Sequence, residues 1–179
     1  TTPRTFIATA STLLFFGVKP VFADVDMNSG CISAETIKPL ISEKTKLISV
    51  VHLGGWPADM KGICKLAKEK NLKVLEDCSQ AHGASINGQS VGSFGDISVW
   101  SFCQDKIITT GGEGGMITTS NENLYEKIWS IRDHGKTLHA LNREKQSGFK
   151  WLHDNYGLNL RLTEMQSAIG LIQLDRLKE

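Results

Sequence analysis

The chain of 179 residues carries 20 basic and 19 acidic side chains and a formal net charge of +1, which gives no electrostatic footprint for nucleic acid or an anionic membrane surface. Hydrophobic residues make up 40% of it, as in an ordinary globular protein with enough chain for one sizeable core. Its four cysteines lie far apart and form no CxxC pair, so neither a zinc site nor a disulfide framework is indicated and a reducing, cytoplasmic location is expected.

The first segment, TTPRTFIATASTLLFFGVKPVFA, permits two interpretations. Its early arginine, apolar centre and V-F-A ending resemble a secretory signal peptide. Lys19 and Pro20 interrupt that pattern, and a helix over residues 5–16 that ends at Gly17 and precedes a short strand in PVFADVD (20–26) explains the segment as well. The apolar run is too short to span a bilayer, so no membrane partner is predicted.

Short apolar runs then alternate with helical patterns. Four strands are predicted at LISVV (47–51), KVLED (73–77), ISVWSF (97–102) and GMITTS (115–120). One helix is predicted from Pro57 to about Asn71, and a second follows its cap at Asn121 to about Arg132. A Gly-rich loop (83–95) and a long loop (135–157) complete the pattern. This alternation predicts an α/β fold, with a mostly parallel sheet covered by helices on both faces.

A final helix is predicted to begin at Thr163, with Gln166 three residues on as the partner in a capping box. Its apolar residues recur at helical spacing and predict a buried face made of Met165, Ala168, Ile169, Ile172 and Leu174. Ligands of parallel sheets gather at the carboxyl ends of the strands. Asp77 and the segment from Ser101 to Lys106 are predicted to lie there.

Two short motifs resemble known ligand-binding patterns but do not fit them. HGKTLH (134–139) contains the Gly-Lys-Thr of a P-loop, yet Ser130 stands where that motif needs its first glycine, and no strand precedes it. His134 and His139 lack the H-E-x-x-H spacing, so no metal site is predicted. A lone lysine such as Lys106 is usually a solvated surface charge. EDCSQAHGA (76–84) fits equally well a solvated strand end or a group of polar side chains at the mouth of the sheet.

Six stretches, in order along the whole chain, resemble the DegT/DnrJ/EryC1/StrS family of sugar aminotransferases, which use pyridoxal 5'-phosphate (PLP). They are PRTFIATAS (3–11), KPVFADVD (19–26), VHLGGWPADM (51–60), LEDCSQAHGA (75–84), GSFGDISVWSFCQDKIITTGGEGGMI (92–117) and GLNLRLTEMQSAIGLIQL (157–174). The resemblance implies the large domain of a fold-type I PLP-dependent transferase, an αβα sandwich. Residues 1–179 are then expected to form part of that domain, without its N-terminal segment and the smaller C-terminal domain.

The same resemblance implies roles for individual residues at the cofactor. Lys106, in S-F-x-x-x-K, would form the Schiff base with PLP, and Asp77 would hold the pyridine nitrogen. These two residues would be the catalytic ones. Gln80 would contact the ring near its phenolic oxygen, Ser101 would bind the phosphate, and His82 would lie close to the cofactor.

Further expectations concern partners and the reaction. Asn159, in G-x-N-x-R, would reach the phosphate in the neighbouring subunit of a homodimer, and Glu113 with its flanking glycines would form a structural turn beside Lys106. The implied reaction moves an amino group from an amino acid, glutamate in the family, to a nucleotide-linked keto sugar in polysaccharide biosynthesis. Two alternatives remain: a sugar dehydratase of the same fold, whose members have histidine in place of the lysine, and a non-catalytic sensor or regulatory homologue.

Overall fold

The structure, a computed structural model, describes residues 1–142, 148 and 151–177. Its strands, in chain order, are β1 (Leu47–Val51), β2 (Lys73–Asp77), β3 (Ser85–Ile86), β4 (Gln89–Ser90), β5 (Ile97–Ser101) and β6 (Gly115–Thr118). Its α-helices are α1 (Ala8–Phe15), α2 (Ala34–Ile37), α3 (Met60–Glu69), α4 (Glu122–Arg132), α5 (Leu138–Asn142) and α6 (Glu164–Arg176). Two short 3₁₀ turns lie at Lys38–Leu40 and Leu53–Gly55.

The central sheet has the strand order β1-β2-β5-β6. β1, β2 and β5 are parallel neighbours, and β6 pairs with β5 in antiparallel orientation. The predicted α/β class and mostly parallel sheet are therefore confirmed, and all four predicted strands form. β6 reverses direction because the loop 102–114 that joins it to β5 contains no helix, and a parallel connection must carry the chain back along the sheet, usually through one.

α3 covers one face of this sheet with an apolar stripe. Its buried side chains recur at helical spacing and are Met60, Ile63, Leu66 and Ala67. They form one cluster with the strand residues Ile48, Val50 and Val74. The helix begins later than the predicted start at Pro57, because the Asp59 side chain caps it by accepting a hydrogen bond from Gly62 N (3.1 Å).

The pleat of β2 sends successive side chains to opposite faces of the sheet. Val74 and Glu76 lie on the face covered by α3, which we call the core face. Asp77 lies on the opposite face, which we call the site face. Asp77 is paired with Val99 of β5, so Ser101, two residues further along β5, shares the site face with Asp77.

The N-terminal segment forms the predicted helix but not the predicted strand. α1 is followed by Gly17 with φ of 68°, a left-handed conformation that ends many helices. Residues 20–26 form no strand: Val21 O and Ala23 N both bond to the single residue Thr1 (3.0 and 2.7 Å), which is too short a pairing for a ladder, and Pro20 has no N–H to offer. Within the described part of the chain, no helix is both long and apolar enough to cross a membrane.

Both predicted loops contain regular structure. The loop 83–95 holds the antiparallel hairpin β3–β4. Its turn is Asn87-Gly88, with φ of 51° and 83°, which is the dipeptide favoured in two-residue hairpin turns. The loop 135–157 holds α5, and its residues 143–147, 149 and 150 lie outside the described residues.

α6 begins where it was predicted, but its apolar stripe does not point inward. Thr163 and Gln166 form the predicted capping box. The residues expected to be buried are exposed, with Met165 at 78% and Ile172 at 61%. The helix instead turns a polar residue toward the loop that precedes β6: Gln166 Nε2 donates to Glu113 O (2.6 Å). Helical spacing identifies an apolar stripe but does not say which neighbour the helix meets.

Gln166 therefore serves two purposes, and one substitution separates them. Its Oε1 accepts from Thr163 N (3.1 Å) in the capping box, while its Nε2 binds Glu113 O. Glu at position 166 keeps the acceptor and loses the donor. We expect Gln166→Glu to lower the free energy of unfolding by about 1 kcal/mol, the typical net value of one hydrogen bond. Urea denaturation would measure the change.

The matched control is Asn123→Asp, an exposed amide in the first turn of α4, which should change the free energy of unfolding by less than about 0.5 kcal/mol. A negative charge near a helix N-terminus is favourable in itself, so any loss in the position 166 variant comes from the missing donor. Equal stability of Gln166→Glu and the wild type would contradict the docking contact.

Candidate active site

The side chain of Glu76 is wholly buried on the core face and accepts four hydrogen bonds. Oε1 accepts from the backbone N–H groups of Phe94 (2.8 Å) and Gly95 (2.6 Å). Oε2 accepts from Gly92 N (2.8 Å) and lies 3.1 Å from His52 Nε2. One carboxylate thus joins β2, the loop that leads into β5 and the segment that follows β1.

The tautomer of the buried His52 follows from its partners. Ala58 N donates to Nδ1 (3.1 Å), so Nδ1 carries no proton and Nε2 is the N–H that donates to Glu76. Burial alone would raise the pKa of Glu76, but the hydrogen bonds from His52 and the three backbone amides outweigh it and hold this pKa below its ordinary value. A neutral imidazole therefore faces an ionised carboxylate.

Cys78 lies beside this pair, and its Sγ is within 4.8 Å of the ligand atoms of His52 and Glu76. Such a trio has the composition of a metal site. Burial, followed by the charges of Glu76 and Asp77, raises the pKa of the Cys78 thiol, which keeps it protonated. Since the His52 and Glu76 atoms already bind each other and the backbone, we assign this trio no metal.

Asp77 ends β2 and presents its carboxylate on the site face. Oδ1 accepts from Ser79 N (3.1 Å), and Oδ2 accepts from Thr9 Oγ1 (3.3 Å) on α1. Its backbone carbonyl accepts from His52 N (3.1 Å), which ties the end of β2 to the segment after β1. The carboxylate is held from two sides while remaining half-buried.

Gln80 lies in the loop after β2, and its Oε1 accepts from Gly54 N (2.7 Å). This contact orients the carboxamide: with the oxygen committed to Gly54, Nε2 is the group left to donate to a ligand. Gly54 and Gly55 adopt left-handed conformations, with φ of 62° and 81°. A Cβ on Gly55 would lie 3.1 Å from Gln80 O, so the glycine pair lets the two loops approach.

His82 is buried between two aromatic rings. Its ring centroid lies 5.5 Å from that of Trp100 and 5.8 Å from that of Phe102. Neither ring nitrogen has a hydrogen-bond partner among the described residues. Burial lowers the pKa of His82, the positive charge of Lys106 lowers it further, and the nearby backbone of Ser101 acts in the opposite direction. A neutral imidazole therefore lies near the backbone of Ser101 and close to Lys106.

Lys106 follows the end of β5 in a tight turn. Its backbone N donates to Cys103 O (3.1 Å), and the Oγ of Ser101, the last residue of β5, accepts from Cys103 N (3.4 Å). Lys106 is half-buried. The structure thus places Asp77, Gln80, His82, Ser101 and Lys106 at the carboxyl ends of β2 and β5, where the sequence predicted a site.

Close packing explains the glycines that follow Lys106. A Cβ on Gly115 would lie 2.9 Å from Trp100 O, and a Cβ on Gly114 would lie 2.3 Å from Thr110 Oγ1. Gly111 has φ of 79°, which few other residues adopt. The structural turn predicted around Glu113 is therefore present, and close packing or a left-handed conformation accounts for Gly111, Gly114 and Gly115.

Asn159 lies apart from the other predicted residues. It forms an antiparallel bridge with Asp133 at the end of α4, and Leu158 N donates to Ile131 O (2.7 Å) beside it. The Asp133 carboxylate binds Arg161 of the same segment. Asn159 is exposed, and no contact among the described residues joins it to Lys106 or Asp77.

The whole chain, residues 1–179, matches the model of the DegT/DnrJ/EryC1/StrS aminotransferase family. The chain belongs to this family. A UDP-N-acetyl-3-dehydro-alpha-D-glucosamine 3-aminotransferase from Acidithiobacillus ferrooxidans is 46% identical over 167 residues, which are 92% of this chain and 42% of that protein.

Solved structures of relatives share the fold. An aminotransferase from Psychrobacter cryohalolentis is 55% identical, with a TM-score of 0.96 over 98% of this chain and 45% of that one. NtdA from Bacillus subtilis, solved with bound cofactor PMP, is 31% identical, with a TM-score of 0.82 over 98% of this chain and 38% of that one. The chain spans less than half the length of these relatives. The family and the fold expected from the motifs are confirmed.

Three residues that hold the candidate site together were not predicted from the sequence. They are Glu76, His52 and Thr9. Alternation along KVLED places Glu76 on the same face as the buried Val74, which was a usable signal for an inward carboxylate. His52 could then be sought as its partner, because a buried charge needs one. Thr9 gave no comparable signal, since a threonine within a helical pattern usually bonds its own helix.

Glu76→Gln tests the buried pair. A carboxamide Nε2 would face backbone N–H donors at either oxygen position, so buried donors would be left unmatched. We expect the free energy of unfolding to fall by about 3 kcal/mol at pH 7. Urea denaturation measures this, with Glu69→Gln at the exposed end of α3 as the control that should change little.

The stabilisation should also depend on pH with a defined sign. Folding lowers the pKa of Glu76 below its ordinary value of 4.5. The difference in the free energy of unfolding between wild type and Glu76→Gln is therefore largest above pH 4.5. It should shrink as the pH falls toward the lower folded pKa. A difference that grows on acidification would show that the ionised carboxylate is not the stabilising form.

Proposed function

We propose that this chain belongs to an aminotransferase that uses PLP to move an amino group from an amino acid to a nucleotide-linked keto sugar. The observation that carries the proposal is the arrangement at the strand ends: Asp77 and Ser101 share the site face, and Lys106 follows in the next turn. The family and the named activity of the Acidithiobacillus ferrooxidans relative support it. Because the chain spans less than half of that relative, the activity is proposed for the whole protein.

The side chains present suit PLP by their chemistry. A carboxylate fits a protonated pyridine nitrogen, a hydroxyl and backbone amides fit a phosphate, and an amine fits an aldehyde. Asp77, Ser101 and Lys106 supply these groups. His82 offers buried ring nitrogens without a protein partner, and a buried polar group usually has one. A ligand that reaches this edge of the sheet would provide it.

Each residue then has a defined task. When bound, PLP withdraws the electron pair left on the substrate carbon after that carbon loses a proton. Lys106 would anchor the cofactor at its aldehyde, and its Nζ would act as the general base and general acid that moves this proton. The Asp77 carboxylate accepts the hydrogen bond of the pyridinium, and Gln80 Nε2 donates toward the phenolic oxygen. Ser101 Oγ donates to the phosphate.

The remaining expectations complete the proposal. Glutamate is the proposed amino donor, because the family resemblance implies it. Residues 1–179 are proposed to be part of the PLP-binding large domain. The cytoplasm is the proposed location, in keeping with the four free cysteines.

Replacing Lys106 tests the assignment directly. In the intact protein, borohydride reduction should fix PLP on the peptide that contains Lys106, and mass spectrometry would locate it. Lys106→Ala should abolish the label and lower transamination by roughly 10³-fold or more, since general acid–base catalysis and the covalent anchor are both lost. Asp77→Asn should keep the label and lower turnover, because the pyridinium loses its counter-charge.

Lys70→Ala, at the exposed end of α3, is the matched control and should keep both label and activity. A reduced cofactor found on another lysine, or unchanged turnover in Lys106→Ala, would refute the proposed function.

We also propose that Asn159 serves the site of a neighbouring subunit in a homodimer. Its exposed position, away from Lys106 of its own chain, supports this. The apolar stripe of α6 offers a surface for such an association, since exposed apolar patches mark interaction sites.

Subunit mixing tests the shared site. Lys106→Ala and Asn159→Ala proteins should each be nearly inactive. A mixed dimer rebuilds one intact site, with Lys106 from one subunit and Asn159 from the other. Random exchange between equal amounts should restore about a quarter of the wild-type activity, because half of the dimers are mixed and each has one good site. No recovery after verified exchange would place both residues in one subunit's site.

A further inference from the structure

A chain of hydroxyl groups runs from α1 to the carboxylate of Asp77. Thr5 Oγ1 and Thr9 Oγ1 lie 2.8 Å apart, and Thr9 Oγ1 lies 3.3 Å from Asp77 Oδ2. Both threonines are half-buried. The contact spans 68 positions of sequence, so it is a tertiary link between α1 and the end of β2.

The direction of each hydrogen bond follows from the groups involved. An ionised carboxylate only accepts, so Thr9 donates its single hydroxyl proton to Asp77. Thr9 then has no proton left for Thr5, and Thr5 must donate to Thr9. In this series of hydrogen bonds Thr5 donates to Thr9, and Thr9 donates to Asp77. Hydrogen bonds in series polarise one another.

Capping of α1 does not explain these hydroxyls. The N-cap of α1 is Ile7, which makes no side-chain capping bond. A threonine inside a helix commonly bonds the carbonyl four residues back. Thr12 does this, donating to Ala8 O (2.6 Å). Thr9, three residues earlier on the same helix, points its hydroxyl to another element.

We propose that Thr9 is a positioning residue for the cofactor and that Thr5 supports it through the hydroxyl chain. Ser79 N holds Oδ1 of Asp77 and Thr9 holds Oδ2, so both oxygens are fixed and the plane of the carboxylate is set. The remaining lone pairs then meet the pyridine nitrogen at one angle. The inference rests on the proposed function, in which Asp77 holds that nitrogen.

The test compares Thr9→Val, which keeps the shape and loses the hydroxyl, with Thr9→Ser, which keeps the hydroxyl. Thr12→Val on the exposed side of α1 is the control. PLP is titrated into the apo form of the intact protein, and its affinity and visible circular dichroism are recorded. We expect Thr9→Val to weaken PLP binding about three- to tenfold and to reduce the dichroic band, as the loss of one ordinary hydrogen bond would.

Thr9→Ser should stay within about twofold of the wild type, and Thr12→Val should match it. Thr5→Val should have a smaller effect than Thr9→Val, because Thr9 still donates to Asp77. Equal weakening by Thr9→Ser and Thr9→Val would overturn the proposal, since only the hydroxyl distinguishes them. So would a Thr9→Val protein that is less heat-stable but binds PLP with wild-type affinity.

A second measurement separates this inference from the proposed function. The carbon-13 shift of the Asp77 carboxyl, read in the apo protein, should change in Thr9→Val and not in Thr12→Val. If the shift responds while wild-type protein takes up no PLP, the hydrogen bond stands and the cofactor role of both residues is rejected. If the shift does not respond, the hydroxyl chain itself is rejected.

Discussion

The fold depends on one buried negative charge. The carboxylate of Glu76 would be costly to bury alone, and it is stable because four donors from two other segments converge on it. The ends of β1, β2 and the loop into β5 are therefore fixed relative to one another. Asp77 is the next residue, and its side chain points to the opposite face. The geometry of the candidate site is thus fixed from the core face by Glu76, which no ligand on the site face would touch.

The two faces of β2 therefore have different functions: the core face supports the strand, and the site face carries the candidate site. On the core face, His52 and the backbone amides bind Glu76 tightly, and the surroundings are closed. On the site face, Asp77 accepts only two hydrogen bonds among the described residues, from Ser79 N (3.1 Å) and Thr9 Oγ1 (3.3 Å), and remains half-buried. A rigid support behind a more open carboxylate is what a binding site needs, because catalytic groups must be held in place by neighbours that the reaction does not disturb.

Local patterns in the sequence predicted most of the fold. β-Branched apolar runs identified β1 and β5, and the caps at Asn121 and Thr163 gave the starts of α4 and α6. The failures share a cause. The stripe on α6 and the strand in residues 20–26 depended on what each segment meets, and neither helical spacing nor β propensity contains that information. The later start of α3 has a local reason, since Asp59 was available as a cap.

The candidate site was predictable to a different degree. The predicted sheet placed Asp77 and Lys106 at the same edge but left their roles open, and only the family motifs assigned them to one cofactor. The structure adds the contacts that those motifs do not state, including the orientation of Gln80 by Gly54 and the free nitrogens of His82. Thr9 could not be found from the sequence, because its partner lies on another element, 68 positions away.

The glycines at 114 and 115 have a consequence for how this family is compared. Backbone and side-chain atoms fill the space that a Cβ would need there, so these positions exclude substitution whatever chemistry the protein performs. A relative that had lost its lysine and its activity would still keep them for as long as it kept the fold. Their retention in an alignment reports the shape of the β5–β6 connection and says nothing about activity, which has to be judged at Lys106, Asp77 and the other residues of the candidate site.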